Sequence, residues 1–214
     1  MKENQLNVVH TYNTVAKAYA DKFMDELKHK HLDRILLTAF AAENKHAGKF
    51  LDLGCGPGQT TKYLSKCGIR GLTGIDISPE MIETAKQLNP DLHFETGDIL
   101  KLNYPDKTIG AAIAFYAIVH FTAAELETVF QEIRRCLKEK GEFLFSFHIG
   151  KEQVHLDTLL DHQVNIDFYF FETAVVIELL KQTGFEIIDV IERQPYADVE
   201  YPSKRAYIWV KRLG

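Results

Sequence analysis

The strongest constraint on the fold of this chain is a short glycine-rich stretch, Leu51–Gly58 (LDLGCGPG). The apolar run that leads into it, Phe50–Leu53, is typical of a buried strand, and Gln59–Lys66 follows as the start of a helix. Glycine is needed where the backbone turns sharply or where a Cβ would strike a bound molecule. The stretch therefore predicts a strand, a tight turn and a helix whose free N–H groups can face a ligand.

The glycine-rich stretch departs from the dinucleotide-binding fingerprint. The fingerprint reads G-x-G-x-x-G, whereas Gly54, Gly56 and Gly58 stand at every second position. Pro57 removes a backbone N–H that could face a pyrophosphate. Asp52 places a carboxylate at the strand end, where it can attract a cation. Two opposite charges about 4 Å apart attract each other by roughly 4 kcal/mol at an effective dielectric near 20, before the cost of desolvation is subtracted. The loop therefore suits a cation better than a phosphate.

Two further aspartates follow predicted strands. Asp76 ends the apolar run Gly71–Asp76, about twenty residues beyond the glycines, where a carboxylate can accept both hydroxyl groups of a ribose. Asp98 follows the third run, Leu92–Glu95. A single aspartate after a strand is more often a turn former or a helix cap. Acidic residues at three successive strand ends, in this order, instead indicate one ligand site.

In these motifs the chain resembles the class I S-adenosylmethionine-dependent methyltransferases, whose first motif is an acidic residue followed by G-x-G-x-G. The resemblance covers nearly the whole chain and implies S-adenosylmethionine, which carries a sulfonium and an ammonium group, as the cofactor. It also implies that Ile77 and Ile99 pack against the adenine and that Asp98 binds its amino group. The implied cofactor-binding residues are Tyr12, Tyr19, Asp52, Gly54, Gly56, Gly58, Asp76, Ile77, Asp98, Ile99 and Phe115.

Strands and helices alternate along the chain, which predicts an α/β fold with a doubly wound, Rossmann-like sheet. Strands are predicted at 49–53, 71–76, 92–95, 110–115, 143–147, 185–191 and 206–210. Helices are predicted at 59–67, 79–88, 122–140 and 172–183. The resemblance adds that the seven strands are mostly parallel with a reversed last strand. The single predicted domain, 1–214, divides into an N-terminal helical cap (1–46), a core (47–147 and 172–214) and a substrate-side insert (148–171).

Two regions outside the core are expected to determine the substrate. In the cap, one helical face carries Tyr12 and Tyr19. This face either docks on the core or, as the resemblance implies, forms a lid whose tyrosines close over the cofactor. The insert carries three histidines and the aromatic run Phe168–Phe171, beyond the carboxyl end of a strand, where ligand loops of open α/β sheets lie.

Methyl transfer from a sulfonium is an in-line displacement that releases a neutral thioether, so the protein mainly aligns the reactants, excludes water and removes a proton. We take His120, just after the fourth strand, as the first candidate for the base and His148 as the second. Each histidine could instead be a packed or capping residue. The nine histidines show no metal-ligand spacing, and no metal site is predicted.

Composition narrows the function further. The 214 residues are 46% apolar and 26% charged, which is ordinary for a soluble globular protein. A net charge of −5 and the lack of a basic run with interleaved aromatic residues argue against nucleic-acid binding. The three cysteines form no C-x-x-C pair, so neither a disulfide framework nor a zinc site is indicated. No signal peptide or membrane span is predicted, so a cytoplasmic location without a membrane partner is expected.

The sequence lacks the motifs that amino-group methylases of adenine or glutamine carry after the fourth strand, and a small-molecule acceptor is therefore expected. Both a monomer and a homodimer remain open. A nicotinamide-dependent oxidoreductase and a non-catalytic cofactor-binding module are the alternative functions. Near the end of the chain, Glu200 and Arg205 are expected to form a surface ion pair, with a place near the site as the alternative.

Overall fold

The structure is a computed structural model that describes residues 2–214. Its strands are β1 (Lys49–Leu53), β2 (Leu72–Asp76), β3 (His93–Thr96), β4 (Ile109–Phe115), β5 (Leu137–His148), β6 (Gln153–Leu159), β7 (His162–Tyr169), β8 (Phe185–Arg193) and β9 (Arg205–Arg212). Its α-helices are α1 (Glu3–Phe23), α2 (His31–Asn44), α3 (Gln59–Lys66), α4 (Pro79–Leu88), α5 (Ala123–Cys136) and α6 (Thr173–Gln182). Two single 3₁₀ turns span Glu26–Lys28 and Ile118–His120.

Seven of these strands form one sheet in the order β3-β2-β1-β4-β5-β9-β8. Strands β1 to β5 pair in parallel, and β9 runs antiparallel to both β5 and β8. The predicted seven-stranded, mostly parallel sheet with a reversed last strand is therefore confirmed. The strand order reverses between β1 and β4, and open α/β sheets bind ligands outside the carboxyl ends of the strands at this point.

The core covers both faces of the sheet. Along β4, Ala112 and Ala114 face the cluster that includes α5 and α6, whereas Ala111 and Ile113 face the cluster that includes α2 and α3. The β4 strand is buried along nearly its whole length because helices cover it on both sides. No helix within residues 2–214 has both the length and the apolar composition needed to cross a membrane.

The boundary between α5 and β5 differs from the prediction. The helix begins as predicted, where Thr122 and Glu125 form a capping box, but it ends at Cys136 rather than near Lys140, and β5 begins at Leu137 rather than at residue 143. Leu137 is fully buried and pairs with Ile109 of β4. The exposed charged residues 138–140 favour a helix by propensity, but the pairing of Leu137 with β4 overrides that preference.

The cap and the insert contain structure that the sequence did not specify. The cap is not one helical stretch over 6–46, because a 3₁₀ turn separates α1 from α2. The insert is an antiparallel hairpin of β6 and β7, and both residues of its turn, Leu160 and Asp161, have positive φ. This is the turn type that matches the twist of paired strands. Near this turn, Leu159 and Leu160 pack against Val15 and Ala16 of α1, so that the hairpin reaches the cap.

Candidate active site

A cavity of about 660 Å³ lies at the carboxyl ends of β1, β2 and β4, at the point where the strand order reverses. Every predicted site residue except Gly58 lines it. The lining residues from the predicted set are Tyr12, Tyr19, Asp52, Gly54, Gly56, Asp76, Ile77, Asp98, Ile99, Phe115, His120 and His148.

The three glycines of the loop have different roles. A Cβ on Gly54 would lie 2.4 Å from the Ala117 Cβ, so Gly54 allows the loop to pack against the segment after β4. A Cβ on Gly58 would lie 2.8 Å from the Phe94 ring, which makes Gly58 a packing residue away from the cavity. A Cβ on Gly56 would meet no protein atom closer than 3.9 Å. Gly56 is therefore the glycine that leaves open space beside the cavity.

Two buried carboxylates flank this loop. Asp52 accepts a hydrogen bond from the Thr61 hydroxyl at 2.6 Å, and burial raises the pKa of Asp52 to about 7. Asp76 accepts hydrogen bonds from the backbone N–H groups of Gly56 and Ser78, each at 2.9 Å. Burial also raises the pKa of Asp76, although these backbone donors oppose the shift. Because carboxylate oxygens have several lone pairs, both side chains can still accept from a ligand.

Helix α1 contributes polar residues that the sequence analysis missed. The Gln5 side chain donates to Asp98 at 3.0 Å, and the Asn13 side chain accepts from the Ser78 hydroxyl at 2.7 Å. Gln5 precedes Tyr12 by seven residues, two turns of helix. Extending the tyrosine stripe towards the N-terminus would therefore have identified Gln5. These contacts tie α1 to two of the strand ends that carry the predicted cofactor residues.

Tyr12 and His120 form a buried hydrogen bond of 2.7 Å between the tyrosine hydroxyl and Nε2. Burial raises the pKa of Tyr12, so its hydroxyl keeps its proton and can either donate or accept. We assign the ring proton of His120 to Nδ1, which is buried beside the backbone of Asp167 on β7, and with this tautomer Tyr12 donates to Nε2. Burial lowers the pKa of His120 to about 4. His120 is thus neutral near pH 7, with its lone pair engaged by Tyr12.

His148 lies at the end of β5, and its ring stacks on Phe170 with centroids 4.9 Å apart. Its Nδ1 forms a hydrogen bond of 2.7 Å with the Ser203 hydroxyl. Burial, together with the positive charges of Arg205 and Lys30, lowers the pKa of His148 to about 3. His148 is therefore neutral near pH 7, and Nε2 is not engaged by that hydrogen bond.

The expected surface ion pair of Glu200 and Arg205 is buried and lines the cavity, so the structure agrees with the alternative, a place near the site. Their side chains are 1% and 3% exposed, and Arg205 Nε lies 3.2 Å from a Glu200 carboxylate oxygen. Glu200 also pairs with Arg193 at 2.7 Å, and Arg193 in turn reaches Asp33 of α2 at 3.1 Å. The cap covers this cluster, which the sequence could not indicate because its members are up to 172 residues apart, as in Asp33 and Arg205.

Across residues 2–214, no group of three or more histidine, cysteine, aspartate or glutamate side chains is placed to hold a metal ion.

Residues 50–141 match the family described as "Methyltransferase domain". The uncharacterized methyltransferase YcgJ of Bacillus subtilis is 27% identical over 161 residues, which cover 71% of this chain and 61% of YcgJ. Sterol 24-C-methyltransferase ERG6A of Gibberella zeae is 33% identical over 186 residues, which cover 79% of this chain and 48% of that enzyme. The matches therefore span less than two thirds of these relatives' lengths.

The fold is shared with a solved structure, magnesium protoporphyrin IX methyltransferase ChlM from Synechocystis PCC 6803 with bound SAM. The two align over 99% of this chain and 98% of ChlM, with a TM-score of 0.73 and 17% identity. This likeness concerns the fold, and the sequence match concerns the segment that carries the glycine loop and the three aspartates. Residues 50–141 are thus similar in sequence to the methyltransferase domain family, and the chain shares the Rossmann-like fold of a solved methyltransferase.

Proposed function

We propose that this protein transfers a methyl group from S-adenosylmethionine to a small-molecule acceptor by in-line displacement. One observation carries the proposal: the cavity at the reversal of strand order is lined by the glycine loop, the three predicted aspartates and both candidate histidines. Charge supports the choice of ligand, since buried carboxylates suit a cationic cofactor better than a phosphate.

Several residues of the cavity would bind the cofactor. Asp76 would accept hydrogen bonds from the ribose hydroxyls, and Asp98, with Ile77 and Ile99, would hold the adenine. Gly56 leaves the space through which the cofactor passes the loop. When bound, S-adenosylmethionine supplies a methyl group on a positively charged sulfur, which departs as a neutral thioether.

We propose an acceptor with an apolar or planar body. Aromatic side chains line the cavity around the end of β4, around the end of the hairpin and from the loop before β9, among them Tyr116, Phe168, Phe170 and Tyr201. Such rings pack best against flat or apolar groups. The cavity of about 660 Å³ must hold the cofactor and the acceptor together, which favours a small acceptor over a polymer.

Of the two histidines, we propose His148 as the acceptor of the substrate proton. Its Nδ1 hydrogen bond to Ser203 leaves Nε2 open on a side chain that lines the cavity. His120 instead holds Tyr12 in place, because its Nε2 accepts the tyrosine hydroxyl. This reverses the order in which the sequence ranks the two residues.

The pH dependence of turnover tests whether the two histidine rings stay shielded from solvent during the reaction. With pKa values lowered to about 3 for His148 and about 4 for His120, neither ring titrates between pH 5 and 8. Plots of kcat/KM against pH should therefore have the same shape near pH 6.5 for the unaltered chain and for His148→Gln, without an inflection that depends on His148. Such an inflection would mean that the ring is exposed to solvent during the reaction.

The function itself is tested by two assays on the purified chain. Calorimetry should detect binding of S-adenosylmethionine and of its product S-adenosylhomocysteine, and an assay with cofactor labelled at the methyl group should transfer the label to a member of a small-molecule panel. Binding of NADH but not of S-adenosylmethionine would instead indicate an oxidoreductase. Tight binding of S-adenosylmethionine without transfer to any panel member would favour a non-catalytic module.

A further inference from the structure

A second, smaller cavity of about 350 Å³ lies between the 3₁₀ turn Glu26–Lys28 and helix α3. Two of its lining residues, Leu27 and Gln59, also line the larger cavity. The Gln59 side chain donates to a carboxylate oxygen of Glu26 at 3.1 Å, which connects α3 to the turn. The two cavities therefore share a wall, and a molecule bound in the smaller cavity would contact the wall of the larger one.

The second cavity carries a concentrated positive charge. Asp25 is the single acidic residue that lines it within residues 2–214, and Asp25 pairs with Lys28 at 2.8 Å. The basic residues that line it are Lys28, Arg34, Lys62 and Lys66. One carboxylate offsets at most one of these four charges, although the net charge of the whole chain is −5. The surplus of positive charge is therefore a local property of this cavity.

The two lysines of α3 are not explained by the stability of that helix. Lys62 is the fourth residue of α3, at the end of the first turn, where the helix dipole disfavours a cation. The dipole favours Lys66 in the last turn, but the two lysines are four residues apart, and like charges at this spacing repel each other. An anion bound between the lysines would remove this repulsion.

The opposite side of the second cavity is held in a fixed shape. Arg34 of α2 donates from Nη1 to the carbonyl oxygens of Leu27 and Lys28, each at 2.6 Å. The turn that carries Lys28 is thereby fixed opposite the α3 lysines. A ligand with more than one negative charge could pair with both sides at once, and lysine is a common binder of phosphate. The volume of about 350 Å³ is at the lower end of the range for small-molecule pockets.

We propose that the second cavity binds a phosphate-bearing small molecule and that this effector strengthens cofactor binding. Lys28 on the turn and Lys62 and Lys66 on α3 would hold the phosphate oxygens. The bound molecule would bridge the cap and the core and so stabilise the wall that the two cavities share. Binding of the phosphate is independent of the proposed function, and only its effect on the cofactor rests on that function.

Calorimetry with inorganic pyrophosphate and with UDP tests the site. The unaltered chain should bind pyrophosphate, and the double variant Lys62→Met/Lys66→Met should bind it roughly 10-fold or more weakly, because charged hydrogen bonds are lost. The matched control is Lys86→Met, an exposed lysine of α4 outside the lining of both cavities, which should leave the affinity unchanged. Potassium chloride at the same ionic strength measures the contribution of general screening. Equal affinities for the two probes would identify the free anion as sufficient, and tighter binding of UDP would identify a nucleotide.

The effect on the cofactor is measured with S-adenosylhomocysteine. Saturating pyrophosphate should raise the affinity of the unaltered chain for S-adenosylhomocysteine by about 5-fold or more, and S-adenosylhomocysteine should raise the affinity for pyrophosphate by the same factor. In the double variant, S-adenosylhomocysteine should bind as it does to the unaltered chain without pyrophosphate, and pyrophosphate should have no effect. Urea denaturation should show that this variant is at least as stable as the unaltered chain, because a repulsion is removed.

Three results would overturn the proposal. The site is refuted if neither probe binds, or if the double variant binds pyrophosphate as tightly as the unaltered chain does. A lower affinity for S-adenosylhomocysteine in the presence of pyrophosphate would mean that the anion occupies the larger cavity. Pyrophosphate binding without any change in that affinity would refute the coupling. Failure of S-adenosylhomocysteine to bind at all would instead refute the proposed function, and the pyrophosphate comparison would still test the site.

Discussion

The floor and the roof of the cavity are built on different physical principles. The floor consists of the glycine loop and the ends of β1 and β2, where backbone groups hold the functional side chains, as the N–H groups of Gly56 and Ser78 hold Asp76. The roof consists of α1 and the β6–β7 hairpin, which pack against each other through apolar side chains. Helix α1 also bonds through Tyr12 to His120, which is 108 residues away in the 3₁₀ turn after β4. Local geometry therefore fixes the floor, whereas packing between distant segments fixes the roof.

The largest effect is expected in the floor, at Gly54. In Gly54→Ala the new Cβ would lie 2.4 Å from the Ala117 Cβ, in a backbone with φ of +70°. We expect the free energy of unfolding to fall by about 2–5 kcal/mol, the combined cost of overpacking and of a left-handed conformation. The matched control is Gly68→Ala, where φ is +92° and no atom lies within 4 Å, so that only the backbone cost of about 1–2 kcal/mol remains. Equal losses in urea denaturation would show that the close approach at Gly54 is not needed.

The second effect concerns binding. Asp76→Ala should weaken cofactor binding by roughly 1.5–3 kcal/mol, because a charged hydrogen-bond acceptor is lost at the end of β2. The exposed Asp91→Ala serves as the control and should bind as the unaltered chain does. Calorimetry with S-adenosylhomocysteine measures both variants. An unchanged affinity in Asp76→Ala would exclude this carboxylate from the cofactor site.

The third prediction concerns the roof. Tyr12→Phe removes the hydroxyl that His120 Nε2 accepts and leaves a buried nitrogen unpaired, so we expect a destabilisation of about 1–3 kcal/mol. The control Tyr63→Phe removes the exposed hydrogen bond to Thr38 and should cost less than about 0.5 kcal/mol. Thermal unfolding of the two variants compares them directly. Similar melting temperatures would mean that the roof is not held by this bond.

The sequence predicts the floor of the cavity better than its roof. Asp52, Asp76 and Asp98 could be recognised because each follows a strand whose apolar pattern is visible, and the parallel sheet brings those strand ends together. The start of the helix predicted at 79–88 was equally readable, because Ser78 and Pro79 are residue types favoured at the N-cap and the first helical position, and Ser78 accepts from the Met81 N–H. Both depend on interactions within a few residues or on the sheet topology itself.

The rest could not be predicted because the relevant partners are remote in sequence. Nothing near Lys30 indicates that Tyr116 will lie beside it. The burial of Glu200 and Arg205 follows from the position of α2, which no local pattern specifies. The end of α5 was missed for a related reason, since the pairing of Leu137 with β4 determines it.

The central claim is that a cationic cofactor lies over the buried carboxylates. The most direct test of it, and the smallest expected effect, is the number of protons released when the cofactor binds. Because burial raises the pKa of Asp52 to about 7, the side chain is partly protonated near pH 7 before the cofactor binds. A positive sulfonium nearby lowers that pKa, so binding of S-adenosylmethionine should release a fraction of a proton, measured by calorimetry in buffers of different ionisation enthalpy. Asp52→Asn should reduce this release, and the neutral thioether S-adenosylhomocysteine should cause less of it. Binding of S-adenosylmethionine without proton release, or with the same release in Asp52→Asn, would contradict the account.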